Sequence, residues 1–327
     1  MSSINSPVTS PAPNLVGLDV VRVVAMVMVV IQHTLSLADR EDLTVIAGLS
    51  IGQLGVAIFL VVSGLLSGGS RRTPVGWLSQ RLCRVYPAFW IAMAGSFCLA
   101  TLSGYKNASI GQIVSQMLGT GLWTHPGELV NSPTWFVTLI LSCYFATFLS
   151  RLTGWPGLFA AISSTGLTIM VARDPAPWLL SHFLTYALSS TIAAFALGTN
   201  RRTITLTIVA GLGIMAVAIQ PAYAYTAFSL MIVELCLLLR KRPRAIKLAA
   251  DYSYEFYLIH GVALAGALTM MKNSPVLAVI TALIGSSVAA VVLNHVAIFI
   301  VRQLSPAKAS QNQVNSPTRT IKAIAQA

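Results

Sequence analysis

Residues 16–38, VGLDVVRVVAMVMVVIQHTLSLA, decide the class of fold. A bilayer core about 30 Å thick is crossed by roughly 20 apolar residues in helix, and this run is long enough. Yet it carries Asp19, Arg22 and His33. A charge within a span costs roughly 2.5–3.5 kcal/mol at the helix centre on insertion scales, so such residues are retained for a reason. Nine further runs have a similar apolar character: 46–67, 85–103, 133–150, 156–172, 178–198, 203–219, 222–239, 252–271 and 275–300. The expectation is an all-α integral membrane protein, a bundle of about ten transmembrane helices.

Composition points the same way. Of the 327 residues, 55% are hydrophobic and 9% charged, and the mean hydropathy is +0.75. Soluble domains carry roughly 25% charged residues. No long polar block remains from which a soluble enzyme on a detachable anchor is built. The net charge of +12 does not indicate nucleic acid, because the basic residues sit in short connections between apolar runs. One set of alternate connections holds sixteen of them, among them Arg71, Arg72, Arg81, Arg84, Arg151, Arg201, Arg202, Arg240 and Lys247. The opposite set holds four: Arg40, Lys106, Arg173 and Lys272. By the positive-inside rule both termini are expected in the cytoplasm.

Residues 1–14 are rich in Ser, Pro and Asn and carry no basic n-region, so the first span is expected to stay in the protein as a membrane helix. They read as a disordered tail, 15–302 as a single membrane domain, and 303–327 as a polar cytoplasmic tail. In the long outer connection 104–132, Ile110, Ile113, Val114, Met117, Leu118 and Leu122 recur at helical spacing. That predicts an amphipathic helix in the interface or a re-entrant piece. The four cysteines are scattered without metal-ligand spacing and read as packing residues. Gly48-Leu49-Ser50-Ile51-Gly52 matches G-x-S-x-G, but that motif works at a strand-to-helix elbow and here precedes a membrane helix.

The ionisable residues within spans carry the functional reading. Asp19 and Arg22 are three apart and can pair on one face. Arg22 and His33 are eleven apart, within about 20° of one face and about 16 Å along the axis. One helix thus presents a cation towards one side and an acid/base group deeper in. Arg81 and Arg84, three apart, share a face, and two guanidinium groups can hold phosphate oxygens. Glu255 and His260 are intramembrane, and Glu234 has a similar depth. Asp19, Arg22, Arg81, Arg84, Glu234 and Glu255 are expected to form an inner polar cluster, with structural helix–helix pairing the alternative for Glu234. Ser63-Gly64 permits close helix approach. Asn294 and His295 read as packing residues, and His182, placed at the outer interface, receives no role.

In this order the motifs resemble the acyltransferase-3 family of bacterial membrane O-acyltransferases. The matching pieces are Leu18-Asp19-x-x-Arg22 with His33 eleven residues on; Gly55-Val56-x-x-Phe59-x-x-x-Ser63-Gly64; Arg81-x-x-Arg84-Val85-Tyr86-Pro87; Trp135-Phe136; and Ser253-Tyr254-x-x-Tyr257-Leu258-x-His260. Val23 stands where a glycine is common after the arginine, and Leu60 replaces a second phenylalanine. The resemblance implies transfer of an acyl group, usually acetyl, from cytoplasmic acyl-CoA to a sugar hydroxyl of an exopolysaccharide, lipopolysaccharide or lipid-linked precursor, in a bacterial inner membrane. It implies no bound cofactor and no metal, with acyl-CoA as co-substrate, a carbohydrate acceptor and the lipid bilayer as partners. His33 is then general base or transient acyl carrier, with Arg22 and Asp19 completing the catalytic group. Arg81, Arg84 and Ser63 are assigned to acyl-CoA, and Glu255, Tyr257, His260 and Trp135 to the cavity lining. The competing class is a transporter or flippase of a polar or lipid-linked envelope precursor. Transporters commonly show repeated halves, and 16–150 and 156–300 show no such repeat.

Overall fold

The computed structural model describes residues 15–46, 48–155, 178–195, 200–218, 221–241 and 243–304. The expected tail 1–14, the expected tail 303–327 beyond residues 303 and 304, and the expected span 156–172 lie outside the described residues. The chain runs α1 (Leu15–Leu37), a hairpin of β1 (Val45–Ile46) and β2 (Leu49–Ser50), α2 (Ile51–Gly68), α3 (Pro74–Leu102), α4 (Ile110–Met117), α5 (Gly121–Thr124) and α6 (Trp135–Leu152). It continues with α7 (Trp178–Phe195), α8 (Asn200–Ala218), α9 (Ala222–Cys236), α10 (Arg244–Asp251), α11 (Ser253–Met270) and α12 (Pro275–Leu304). Apart from the two-residue strands β1 and β2, which pair antiparallel, the regular structure described is helical. Among the described residues six helices are long and apolar enough to cross a membrane: those within Val16–Leu37, Ile51–Gly68, Pro74–Leu102, Ser132–Leu152, Arg201–Ala218 and Pro275–Gln303. α9 is shorter.

The bundle is apolar outside, and its apolar interior holds a set of buried polar side chains. Along α12, Val276, Ile280, Ile284, Val288 and Val292 form an exposed stripe, and Phe299 continues it. Within, Ser181, His182, Thr185, Ser189, Thr226 and Ser229 are buried. Thr185 and Thr226 hydroxyls meet at 2.8 Å, and Thr226 also donates to the Ser181 carbonyl, joining α7 to α9. This is the arrangement for a chain whose solvent is lipid: interhelical hydrogen bonds and close packing hold the helices, because burying apolar side chains from lipid gains little.

α2 is the centre of the packing. It supplies Val56 and Leu60 to a core with Trp77, Phe89, Phe136, Tyr186 and Tyr257. Its Ile58, Val61 and Val62 enter a second core with Leu18, Val21, Ala25 and Leu230. Glycines permit this. A Cβ on Gly64 would overlap the Ser189 hydroxyl and lie 2.6 Å from the Tyr186 carbonyl, and one on Gly68 would overlap the Ser190 carbonyl. Gly64 and Gly68 thus bring α2 against the α7 backbone, as the sequence suggested for Gly64.

One expectation is corrected and one is met. The third span was expected from residue 85, with the two arginines in a connection. Instead α3 starts at Pro74, where Thr73 caps the helix through Gly76 N and Pro74 stands at N1. Arg81 and Arg84 therefore lie within a helix, ahead of the internal Pro87. The outer connection does form a helix, α4, opened by a Ser109–Gln112 capping box. Its apolar side chains Ile110 and Val114 are exposed while Ser115 and Gln116 are buried. Two last-turn carbonyls are met by α3: Trp90 Nε1 donates to Met117 O at 2.9 Å and Tyr86 Oη to Leu118 O at 3.0 Å. The connection therefore folds back beside the middle of α3.

The glycine packing has a clear signature. Gly64→Ala should destabilise by about 1–3 kcal/mol through overpacking. Gly95→Ala, on the same kind of helix but with nothing within 4 Å, should be neutral or stabilise by up to about 1 kcal/mol. Thermal unfolding in detergent distinguishes the two signs.

Candidate active site

α1, α3 and α11 bring the intramembrane residues together. Arg22 Nη1 lies 3.7 Å from Asp19 Oδ1, a loose i,i+3 pair with the arginine side chain 23% exposed. Arg84, Arg81 and Asp251 also lie within Coulombic range of Arg22. Arg84 acts likewise on Glu255 and Tyr254. Glu255 is buried and accepts from Asn294 Nδ2 at 2.9 Å. Tyr254 Oη donates to the Val85 carbonyl at 3.1 Å, locking α11 to α3 one residue beyond Arg84. Three arginines and three carboxylates thus share one end of the bundle, where α1 and α3 begin.

At the other end of the same face, the rings of His33 and His260 stand 5.3 Å apart, tilted by 57°. The spacing explains the meeting. Residues 22 to 33 advance about 16 Å along α1, and residues 251 to 260 advance a comparable about 13 Å along α10 and α11. Asp251 lies near Arg22 and His260 lies beside His33, so α11 runs alongside α1 in the same direction. His260 is fully buried, stacked on Phe256 at 5.9 Å and beside Tyr257 at 5.6 Å. Tyr257 packs edge-on to Phe136 and Phe59, and its hydroxyl donates to the Pro133 carbonyl. Asn131 Nδ2 bridges the Leu258 carbonyl at 2.6 Å and Ser96 Oγ at 3.2 Å, tying the 131–134 turn between α3 and α11. Gly261 has Pro133 against it where a side chain would stand.

The remaining expected residues take other places. Arg81 turns towards α2 and α6: Nη2 donates to the Leu66 carbonyl at 3.1 Å, and the guanidinium lies 5.9 Å from the Trp77 ring and 5.8 Å from Tyr144. Ser63, half-buried on α2, offers its carbonyl to Ser67 Oγ. Trp135 opens α6 with its ring stacked on His182 at 5.9 Å. Its ring contacts lead to the histidine pair through Phe136 and Tyr257. Ser50 is the N-cap of α2, accepting from Gln53 N and donating to Gln32 Oε1, so the G-x-S-x-G match is a capping site.

One reading is corrected here, and two residues gain partners that the sequence does not show. Glu234 is not in the arginine cluster: it pairs with Arg201 at 2.9 Å across α8 and α9, because α9 packs against α8 at that level. His182, given no role from the sequence, is fully buried, with Nε2 2.6 Å from Gln53 Oε1 and rings of Trp135 and Tyr225 around it. Arg151, which the sequence shows only as one of many loop charges, holds the α2–α3 connection. It donates to the carbonyls of Ser67, Ser70 and Arg72 and stacks on Trp77 at 4.9 Å. With Gly68, Ser70, Thr147 and Ser190 it lines a cavity of about 300 Å³ at the arginine end. Spacing alone could not reveal this, since its partners are backbone carbonyls.

The arrangement is therefore a cluster of three arginines and three carboxylates joined along one helix face to an imidazole pair. A family model described as an acyltransferase domain matches residues 15–295. No curated protein and no solved structure matches the chain.

Removing Arg201 leaves Glu234, 7% exposed, without its cation. Arg201→Met should cost on the order of 2–3 kcal/mol, less than for a fully buried pair because Arg201 is 29% exposed. Adding Glu234→Met should restore most of it. Acyl transfer per folded molecule should not change in either variant, as read by unfolding midpoints and activity on the same preparations.

Proposed function

We propose, for this chain that belongs to the acyltransferase-3 family, that it moves an acetyl group from cytoplasmic acyl-CoA to a hydroxyl of a cell-envelope or exported carbohydrate. Membership makes it a membrane acyltransferase; the donor, the acceptor and the direction of approach are the reading argued here. The observation that carries it is the meeting of His33 and His260 on the face of α1 that holds Arg22 at its other end.

The donor enters at the arginine end. Arg84, exposed on α3, and Arg22 behind it hold the phosphates, with Arg81 adding charge from its seat on Trp77. Guanidinium groups suit this because their fork matches phosphate oxygens. The thioester then lies deeper along α1, towards His33. His33 acts as general base on the acceptor hydroxyl, a role that contributes typically 10²–10⁴-fold. Arg22, oriented by Asp19, offers positive charge along the donor's path. Tyr257 and Glu255 support the walls through Pro133 and Asn294. We take the topology to be ten spans in a bacterial inner membrane with both termini cytoplasmic. The parallel course of α1 and α11, the first and ninth of those spans, supports it.

A transporter needs no acyl donor, and this separates the readings. With acetyl-labelled acetyl-CoA and purified membranes, wild type should carry label into a glycan or glycolipid fraction. His33→Ala should abolish transfer, at least about 10², while acetyl-CoA still binds. Arg84→Ala should weaken acetyl-CoA binding about tenfold, or about 1.4 kcal/mol. Transfer retained by His33→Ala rejects its catalytic role, and unchanged affinity in Arg84→Ala rejects the phosphate role.

A further inference from the structure

His260 carries the one nitrogen of the imidazole pair whose protonation the fold itself dictates. Its Nδ1 lies 2.8 Å from the Tyr257 carbonyl. A carbonyl can only accept, so Nδ1 bears the proton of the neutral ring and Nε2 keeps a lone pair. Nε2 is buried and meets no hydrogen-bond donor among the described residues. A buried acceptor in that state is costly and calls for a donor. Tyr257 cannot be it, because its hydroxyl is spent on Pro133. Phe256 covers a ring face, nearly parallel at 6°, and has nothing to donate. The ring at hand is His33. No hydrogen bond ties that ring to another described residue, so its N–H is available.

We propose that His260 is the positioning partner of His33. Its Nε2 accepts the His33 N–H and fixes His33 in the tautomer whose other nitrogen turns its lone pair to the acceptor hydroxyl. The proposal rests on the transferase reading above. The resulting chain has one polarity throughout: the Tyr257 carbonyl accepts from His260 Nδ1, His260 Nε2 accepts from His33, and His33 accepts from the hydroxyl. The logic is that of a base held by an orienting group, with a neutral imidazole where other enzymes place a carboxylate. In the reaction the hydroxyl oxygen attacks the thioester carbonyl carbon and its proton passes to the free nitrogen of His33. A C–O bond forms. The C–S bond breaks with its electron pair going to sulfur, and His33 returns the proton to the thiolate. The products are the acylated hydroxyl and the CoA thiol. His260 exchanges no atom; it holds the imidazolium that forms transiently on His33.

Three substitutions and two readouts test this. His260→Leu fills the space without polarity. His260→Asn keeps a donor for the Tyr257 carbonyl but has no acceptor at the ε position. His260→Gln places an amide oxygen near that position. The first readout is turnover and affinity for labelled acetyl-CoA. The second is the rate at which diethyl pyrocarbonate modifies His33, followed by mass spectrometry on the full-length protein. Leu and Asn should lower turnover at least about 100-fold with acetyl-CoA affinity unchanged, and slow His33 modification several-fold. Gln should recover both in part. If the Leu variant turns over like the Gln variant, or His33 reacts at the wild-type rate in both Leu and Asn, His260 only fills space and the proposal falls. If Leu fails to fold, the Asn–Gln comparison decides. The modification readout needs neither donor nor acceptor, so a wild type that transfers no acyl group rejects the transferase reading and still leaves the His33–His260 pairing decided.

Discussion

The cost of holding charge in an apolar bundle governs the arrangement of this molecule. Asp19, Arg22 and His33 ride on a helix whose other faces are valine, isoleucine and methionine. At roughly 2.5–3.5 kcal/mol for a charge at a span's centre, α1 cannot show that face to lipid. The face must be covered by helices that bring their own polar groups at matching heights. α11 and α3 do so: Asp251, Glu255 and Arg84 stand at the level of Arg22, and His260 at the level of His33. The side of α1 that lipid can reach, with Val24, Val27 and Ile31 exposed, carries no charge. One helix therefore dictates the heights at which its surroundings must supply polar groups.

That demand is met by α2 from behind. Gly52 lies against Gln32, Gly55 against the Ala25 carbonyl, and Gly64 and Gly68 against α7. A helix with small residues on opposite sides lets α1 and α7 approach without side chains between them. α1 is thereby pinned in rotation, and the rotation of α1 is what sets Arg22 and His33 facing α11. A glycine seam remote from the chemistry is in this sense part of the site. The same seam orders the α2–α3 connection, since Ser67 beside Gly68 accepts from Tyr186 and gives its carbonyl to Arg151.

The helices were legible in the sequence because apolar runs of membrane length are a strong signal. Nine of the ten expected apolar runs fall on described helices, six of them long and apolar enough to cross a membrane, and the run 156–172 lies outside the described residues. The face shared by Arg22 and His33 was equally legible, since angle and rise follow from residue number alone. The start of α3 was not, because Thr73-Pro74 opens a helix eleven residues before the apolar run takes hold. Depth estimates placed Glu234 with the other carboxylates but could not say which helix it faced. Its partner Arg201 sits in what reads as a loop pair of arginines. His182 and Arg151 escaped for a related reason: one is matched to an amide and aromatic rings, the other to backbone carbonyls, and no spacing rule marks such partners. Sequence spacing predicts contacts within a helix, whereas the site is made of contacts between helices.

The distance between the two ends of the site also bears on the donor. Arg22 and His33 are about 16 Å apart along α1, so one molecule that engages both must be long and carry its anionic groups far from its reactive carbonyl. A small activated acyl compound, such as an acyl phosphate, has its charge next to the carbon that is attacked. It would leave either the arginines or the histidines without a partner. Acyl-CoA separates its phosphates from its thioester by an extended flexible arm and fits the spacing. Binding energy collected by Arg84 and Arg22 at the mouth can then offset the entropy of holding the thioester still beside His33, where orientation of the reacting groups counts most. Under the proposed function, a donor seated along the arginine route leaves the acceptor to reach the histidine pair from another side. The turn at 131–134, tied by Asn131 to Ser96 and to the Leu258 carbonyl, lies against α11 two residues before His260.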